Sequence, residues 1–275
     1  KLCTHCCVSK SHRLPFHLSN STVNQPLALI HSDVWGPFNA SVSHFKYYVL
    51  FINDYSKFTC LFPLTYKSEV FSKLVEFKVF VETQFTTKLQ VLRSDNGGEY
   101  LANKFQQFLK DKGIEHQLSC PHTPAQNGVA ERKHRHLIET TIALMHQSAL
   151  PLSYWCDALA TSVFLINRLP TSKLSNLTHF QTLFHHLPDY SFFKVFGCRC
   201  FPWLRPYTSH KLQPRSIPCV FIGYVPSTKG YRCLDVTTGH IFVSRHVIFD
   251  ECTFPFQSQS MSHALSIPPS LSQLQ

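Results

Sequence analysis

The hydrophobic period of the chain changes several times between residues 27 and 169. Three runs rich in β-branched and aromatic residues come first, "LALIHSDVWGPF", "FKYYVLFINDYS" and "KFTCLFPLT". Gly, Pro, Asn, Asp and Ser bound them, so three strands are expected, with a turn at Asn53-Asp54. In "SEVFSKLVEFKVFVETQF" the period becomes helical, through Val70, Phe71, Leu74, Phe77 and Val81, and Ser68 stands where a cap belongs. A fourth strand over 88–94 runs into Asp95. The next helix has Leu101, Phe105, Phe108 and Leu109 on one face and ends at Gly113. "IEHQLS" is a short fifth strand. The loop "CPHTPAQNG" then opens a helix over about 128–147. Pro151 breaks the chain, and a last helix from Leu152 to Leu169 keeps Leu152, Trp155, Leu159, Val163 and Ile166 in register.

Strands interleaved with helices predict an α/β unit over residues 25–170, built on a mixed five-stranded sheet with flanking helices. If the fifth strand pairs beside the first, the ends of strands one and four become neighbours. Beyond it, 171–191 reads as a linker. Short strands recur between Gly and Pro over 192–251, and "YRCLDVTTGHIFVSRHVIF" reads as a hairpin, so a small all-β unit is expected there. Residues 252–275 carry little charge and are expected to be a disordered tail. Residues 1–24 are polar, basic and rich in Cys and His.

Composition narrows the partners. Lysine and arginine number 26 against 16 acids, a net charge of +10, which suits a polyanion such as nucleic acid. From Phe193 to Asp250 the surplus is six, from Lys194, Arg199, Arg205, Lys211, Arg215, Lys229, Arg232 and Arg245 against Asp235 and Asp250. No run approaches the roughly 18 apolar residues of a membrane helix, so no membrane partner is expected. The eleven cysteines are scattered and odd in number, which predicts small core residues in a reducing compartment. The chain lacks an initiator Met and reads as a piece of something longer.

Three acids stand where chemistry could use them. Asp95 closes the fourth strand before Asn96-Gly97-Gly98. Asp33 lies late in the first strand, and Glu131 sits in the first turns of the long helix. Three carboxylates brought together repel one another, and a divalent cation resolves the conflict. Mg²⁺ prefers oxygen ligands, and two such ions about 3.5–4 Å apart can activate an attacking oxygen and stabilise a leaving one. Taken singly, an Asp before Gly is ordinary turn chemistry, and a Glu at a helix start complements the dipole. Nearby Glu99 could touch the same site, but it reads first as a helix-start carboxylate, and Asp54 reads as a turn residue.

The spacing and context change that weighing. Residues 96–130 place 35 residues between Asp95 and Glu131. The acids lie in "HSDVWGPF", "LRSDNGGEY" and "HTPAQNGVAERKHRHLIE", and from Cys3 to about Glu251 the chain resembles the integrase of copia-type LTR retrotransposons. The resemblance implies an RNase H-like core followed by a small SH3-like barrel, which "VFGCRCF", "KLQPRS", "CVFIGY" and "KGYRC" also resemble. It implies that Asp33, Asp95 and Glu131 are catalytic and hold two Mg²⁺ or Mn²⁺ ions. The implied activity is trimming of the 3′ ends of element cDNA and their insertion into host DNA. Double-stranded DNA and further copies of the chain are the implied partners, and the nucleus, after a cytoplasmic particle stage, is the implied location.

For DNA contact, Arg135 lies four residues past Glu131 on the same helix face and is placed to hold a phosphate. Lys133 is open between DNA contact and a solvated charged face. Gln126 and Asn127 could reach DNA, while Asn127 is also suited to cap the helix. Cys3 and Cys6 form half of a zinc site, and the resemblance puts the two missing histidines upstream of this chain. Cys198-x-Cys200 reads as alternate positions on a strand rather than a metal site. Two rivals remain: a decayed or host-adopted relic that binds nucleic acid without catalysis, and a hydrolytic nuclease of the same fold.

Overall fold

The computed structural model describes residues 23–120, 127–207, 210–226 and 228–257. Strands β1 (Leu29–Trp35), β2 (Tyr47–Asn53) and β3 (Thr59–Leu64) form an antiparallel meander. Helix α1 (Val70–Phe85) follows and buries Val70, Leu74, Phe77 and Val81, four of the five positions at helical spacing. Ser68 does not cap it. A 3₁₀ turn over Lys67–Glu69 leads into α1, and the Glu69 carboxylate turns back to accept the Thr65 N–H at 2.9 Å. Strand β4 (Val91–Ser94), helices α2 (Gly98–Leu101) and α3 (Asn103–Lys112), and strand β5 (Glu115–Leu118) complete the first half.

The sheet order is β3-β2-β1-β4-β5, with β4 parallel to both β1 and β5. The fifth strand therefore does not pair beside the first; β4 takes that place. Each parallel step needs a crossover. The α1 crossover returns β4 to the side of β1, and the α2–α3 crossover sets β5 one place further out. The conclusion about the strand ends survives and becomes simpler. Leu29 pairs with Val91 and His31 with Arg93, so the same register two residues on sets Asp33 beside Asp95.

Strand β2 lies inside the sheet, between β3 and β1, and is buried on both faces, so it reads as a continuous apolar run. Val49 and Phe51 face a core with Leu74, Phe77, Leu92 and Phe105. Tyr48, Leu50 and Ile52 face the other, covered by α4 (Gly128–Ser148) and α5 (Trp155–Arg168). A 3₁₀ turn over Leu152–Tyr154 precedes α5, where continuous helix is expected from the sequence.

Five short antiparallel strands form the second sheet, in the order β10-β6-β7-β8-β9. They are β6 (Arg199–Pro202), β7 (Cys219–Tyr224), β8 (Tyr231–Leu234), β9 (Ile241–Ser244) and β10 (Val247–Asp250). Cys198, Cys200, Cys219 and Cys233 pack with Phe221, Tyr224 and Tyr231 in its interior. This unit shares its other side with the first. Phe196, Val220, Ile222 and Leu234 belong to the same apolar cluster as Leu137, Trp155, Leu159 and Val163 of α4 and α5. The segment 171–191 is structured rather than a bare linker, with a 3₁₀ turn over Ser172–Leu174 and helix α6 (His179–Phe184), which buries His179 and Leu183. The start of the expected tail is also folded, because Phe256 packs on the α4–α5 core; residues 258–275 lie outside the described residues. None of the described helices is long and apolar enough to cross a membrane.

Candidate active site

Asp33 and Asp95 leave adjacent parallel strands at the same end of the sheet. The Oδ1 of Asp33 accepts the Val34 N–H at 2.9 Å, and the Oδ1 of Asp95 accepts the Gly97 N–H at 3.0 Å. The Asp95 carboxyl is pushed above the usual carboxylate range. Burial is the largest cause, and the charges of Asp33 and Glu99 add to it, against the Gly97 N–H and Lys67. Partial burial beside other carboxylates thus makes the charged form of Asp95 costly.

The Asn-Gly-Gly turn has a separate reason for each residue. The Asn96 amide donates to the Ser119 carbonyl at 2.6 Å and ties the turn to the end of β5. A Cβ on Gly97 would stand 2.9 Å from the Glu99 carboxyl carbon and 3.1 Å from Asp95 Oδ1, so glycine keeps the space both carboxylates share. Gly98 has open space in front of it. Glu99 is in the first turn of α2, as expected, but its largely buried side chain also acts on Asp95, and Lys67 lies 3.9 Å from it.

Glu131 occupies the first turn of α4 and is exposed. Among the described residues, no group of three or more His, Cys, Asp and Glu side chains is arranged to hold a metal ion. The strand register brings Asp33 and Asp95 together, and Glu131 is not grouped with them into such a set.

Buried hydrogen bonds hold the two strand ends. Ser32 Oγ and Tyr100 Oη are 2.7 Å apart behind the site. Burial depresses the pKa of His116 and keeps its imidazole neutral near pH 7. Gln106 Nε2 donates to its Nδ1 at 2.8 Å, so Nε2–H donates to Ser94 Oγ at 2.9 Å. Ser94 in turn donates to the Asp95 carbonyl at 2.9 Å.

The expected DNA contacts separate. Arg135 is exposed, one turn past Glu131 on the same face, and forms no ion pair among the described residues. Lys133 points elsewhere. Burial first, and then the charges of Lys173 and Lys57, lower its pKa to about 8, on the side of α4 where His136 and His179 also gather. Asn127 is only 3% exposed and provides no side-chain cap to α4. Its amide instead donates to the Ser32 carbonyl at 3.4 Å, joining the start of α4 to the residue before Asp33. Gln126, Cys3 and Cys6 lie outside the described residues. Asp54 is in the β2–β3 turn, held by His31 at 2.9 Å and by Lys57.

In sequence His134 is one of the basic residues that open the helix of Glu131, with no role of its own. It is wholly buried, with Nδ1 2.9 Å from Tyr48 Oη and Nε2 3.4 Å from Asp33 Oδ2. The available signal was helical spacing, since Ala130, His134, Leu137 and Thr141 form the buried stripe of α4.

Comparison with known proteins agrees with this architecture. Residues 23–124 match the family described as integrase core domain, and residues 198–262 match the retroviral polymerase SH3-like domain. The retrovirus-related Pol polyprotein from transposon RE2 of Arabidopsis thaliana is 44% identical over 264 residues, 96% of this chain and 18% of that polyprotein. The corresponding polyprotein from transposon RE1 is 43% identical over 256 residues, 93% of this chain and 17% of that protein. The chain thus spans less than a fifth of the length of these curated relatives. A chain of the simian T-cell lymphotropic virus intasome, solved in complex with PP2A regulatory subunit B56 gamma, superposes with a TM-score of 0.54. That match covers 88% of this chain and 84% of the other at 16% identity, a likeness of fold.

Proposed function

This chain carries a retroviral-type integrase core and a retroviral SH3-like domain and is homologous to plant retrotransposon Pol polyproteins, and from this we infer that it trims the 3′ ends of element DNA and joins them to a host duplex. The observation that carries the reading is the placement of Asp33 and Asp95 at the ends of adjacent parallel strands, with Asp95 held above its ordinary range by burial and by neighbouring carboxylates.

Carboxylates brought together at the strand ends are hard oxygen donors, which fit Mg²⁺ or Mn²⁺. Asp33 and Asp95 would hold the ions, and Glu131 is the third donor of this reading, on a helix that Asn127 ties to β1. Bound there, such ions would activate the attacking oxygen and stabilise the leaving one. The protein's part is placement. The Ser32–Tyr100 and Gln106–His116–Ser94 hydrogen bonds fix the strand ends, and the open space before Gly98 admits a nucleic-acid backbone. Exposed Arg135 holds a phosphate next to the scissile one. The net charge of +10 supports binding to double-stranded DNA. Two DNA ends must be joined, so the active form is a multimer of this chain working in the nucleus after a cytoplasmic particle stage. Cys3 and Cys6 would supply two ligands of a zinc site.

The second reading is a nucleic-acid-binding chain without catalysis: among the described residues Glu131 is exposed and is not grouped with the aspartates into a three-ligand set. An end-trimming assay separates the two. A labelled duplex with the element's terminal sequence is incubated with MgCl₂ or MnCl₂ and wild-type chain, Asp33→Asn or Glu131→Gln. Metal-dependent trimming lost in both variants supports the enzyme. Equal DNA binding by all three proteins without trimming supports the binding protein.

A further inference from the structure

We propose that His134 is a positioning residue for Asp33, its Nε2–H fixing the carboxylate that the proposed function assigns to metal binding. The inference rests on that reading for its consequence but not for its geometry. His134 is 0% exposed, and a buried imidazole is costly unless its nitrogens find partners. Nδ1 is partnered by Tyr48 Oη at 2.9 Å. Nε2 has no hydrogen-bond partner within ordinary range among the described residues, and the group in front of it is Asp33 Oδ2 at 3.4 Å.

The tautomer follows from that arrangement. Were Nδ1 to carry the only ring hydrogen, the Nε2 lone pair would face a carboxylate oxygen at 3.4 Å, which is repulsive. The stable arrangement has Tyr48 donating to Nδ1 and Nε2–H directed at Asp33. Neighbouring rings restrain it. Trp35 stacks on it with centroids 4.9 Å apart, and the tilted Tyr48 ring packs with its centroid 5.3 Å away. Trp35 and Tyr48 are themselves cross-strand partners on β1 and β2.

Both oxygens of Asp33 are thereby oriented, Oδ1 by the Val34 N–H and Oδ2 by His134. His134 lies one helical turn beyond Glu131, so the same contact fixes the first turns of α4 against the end of β1. An outer partner that orients a ligating carboxylate typically changes metal affinity by about 10–100-fold when it is removed.

The test has a readout that needs no metal and one that does. In the wild-type chain, ¹⁵N–¹H spectra of the histidine rings should show a solvent-protected Hε2 for His134 that moves in Asp33→Asn and in Tyr48→Phe. Mn²⁺ binding, followed by electron paramagnetic resonance with MnCl₂ alone, should be about tenfold weaker in His134→Leu. It should return to within a few-fold of wild type in His134→Gln, whose amide nitrogen reaches as far as Nε2. Thermal unfolding of each variant is measured alongside. A His134 without a protected Hε2, a resonance indifferent to Asp33→Asn, or a folded leucine variant that binds Mn²⁺ like wild type would each overturn the proposal. If the wild-type chain binds no Mn²⁺ while Hε2 still responds to Asp33→Asn, the positioning contact stands and the metal-dependent function fails.

Discussion

Arg232 Nη2 on β8 lies 3.1 Å from Asp157 Oδ1 in the first turn of α5, and Nε of the same guanidinium reaches that oxygen at 3.2 Å. The pair ties the second sheet to the first unit across their shared apolar cluster. Burial pushes the Asp157 carboxyl upward even with the arginine beside it, so this carboxylate depends on its partner. Arg232→Ala should therefore cost about 2 kcal/mol, the worth of a charged hydrogen bond plus the stranded charge. Adding Asp157→Asn should recover part of that loss. Denaturant unfolding of the two variants checks it, and the shared core predicts one cooperative transition for both units. Two separated transitions would contradict the joint core.

Gly197 marks the same junction. It has φ +81°, and a Cβ there would sit 2.1 Å from Ser148 Cβ at the end of α4. Gly239, in the β8–β9 turn, has a similar φ of +74° but open space around it. Gly239→Ala should cost only the backbone strain, about 1–2 kcal/mol, whereas Gly197→Ala should cost clearly more. Comparing the two melting temperatures separates close packing from conformational preference.

Acid should destabilise the fold in a defined window. His179 is buried on α6 and its Nδ1–H donates to the Ser56 carbonyl at 2.9 Å. Burial first, and the charge of Lys133 next, lower its pKa to about 4. The folded value lies below the unfolded one, so the unfolded chain takes up the proton first as pH falls. Stability is complete above about pH 6.5 and declines toward pH 4, by roughly 3 kcal/mol for this residue. Burial also depresses His31, which acts in the same direction. His179→Gln should flatten the curve of stability against pH between 6.5 and 4. An unchanged slope would remove His179 as the cause.

What the sequence made legible depended on how local each signal was. The helical period of α1 and the aromatic strands were readable because their partners lie on neighbouring faces of the same elements. The place of β5 was not. Glu115 and Leu118 are exposed and His116 and Gln117 half-buried, so no apolar alternation specifies a neighbour at that edge. Asp33 and Asp95 could be paired from motif and spacing, but the position of Glu131 could not, because its helix is seated by remote contacts such as that of Asn127 with the Ser32 carbonyl. His134 was concealed in "ERKHRH", where a histidine among basic residues looks like part of a solvated face. Its burial is set by the stripe of Ala130, Leu137 and Thr141, and its role by Tyr48, 86 residues away in sequence. The seating of the second sheet against the end of α4 was equally remote, since nothing local in the sequence sets Ser148 against Gly197.

Glu99 offers an internal control for the site. Its carboxylate lies beside Asp95 and acts on it, yet the proposed function gives it no ligand role. Glu99→Gln should keep DNA joining within a few-fold of wild type and bring the Asp95 carboxyl back toward its ordinary range. A loss as deep as that of Asp95→Asn would make Glu99 a ligand in place of the exposed Glu131.

The most direct test of the account is strand joining itself. Purified chain is incubated with a branched DNA substrate and MgCl₂ or MnCl₂, beside Asp95→Asn, which keeps the side-chain shape and removes the charge. The account predicts metal-dependent joined product that falls by at least about 100-fold in the variant, roughly 3 kcal/mol of barrier, with DNA binding retained. Equal joining by both proteins, or DNA binding with no joining by either, would contradict it.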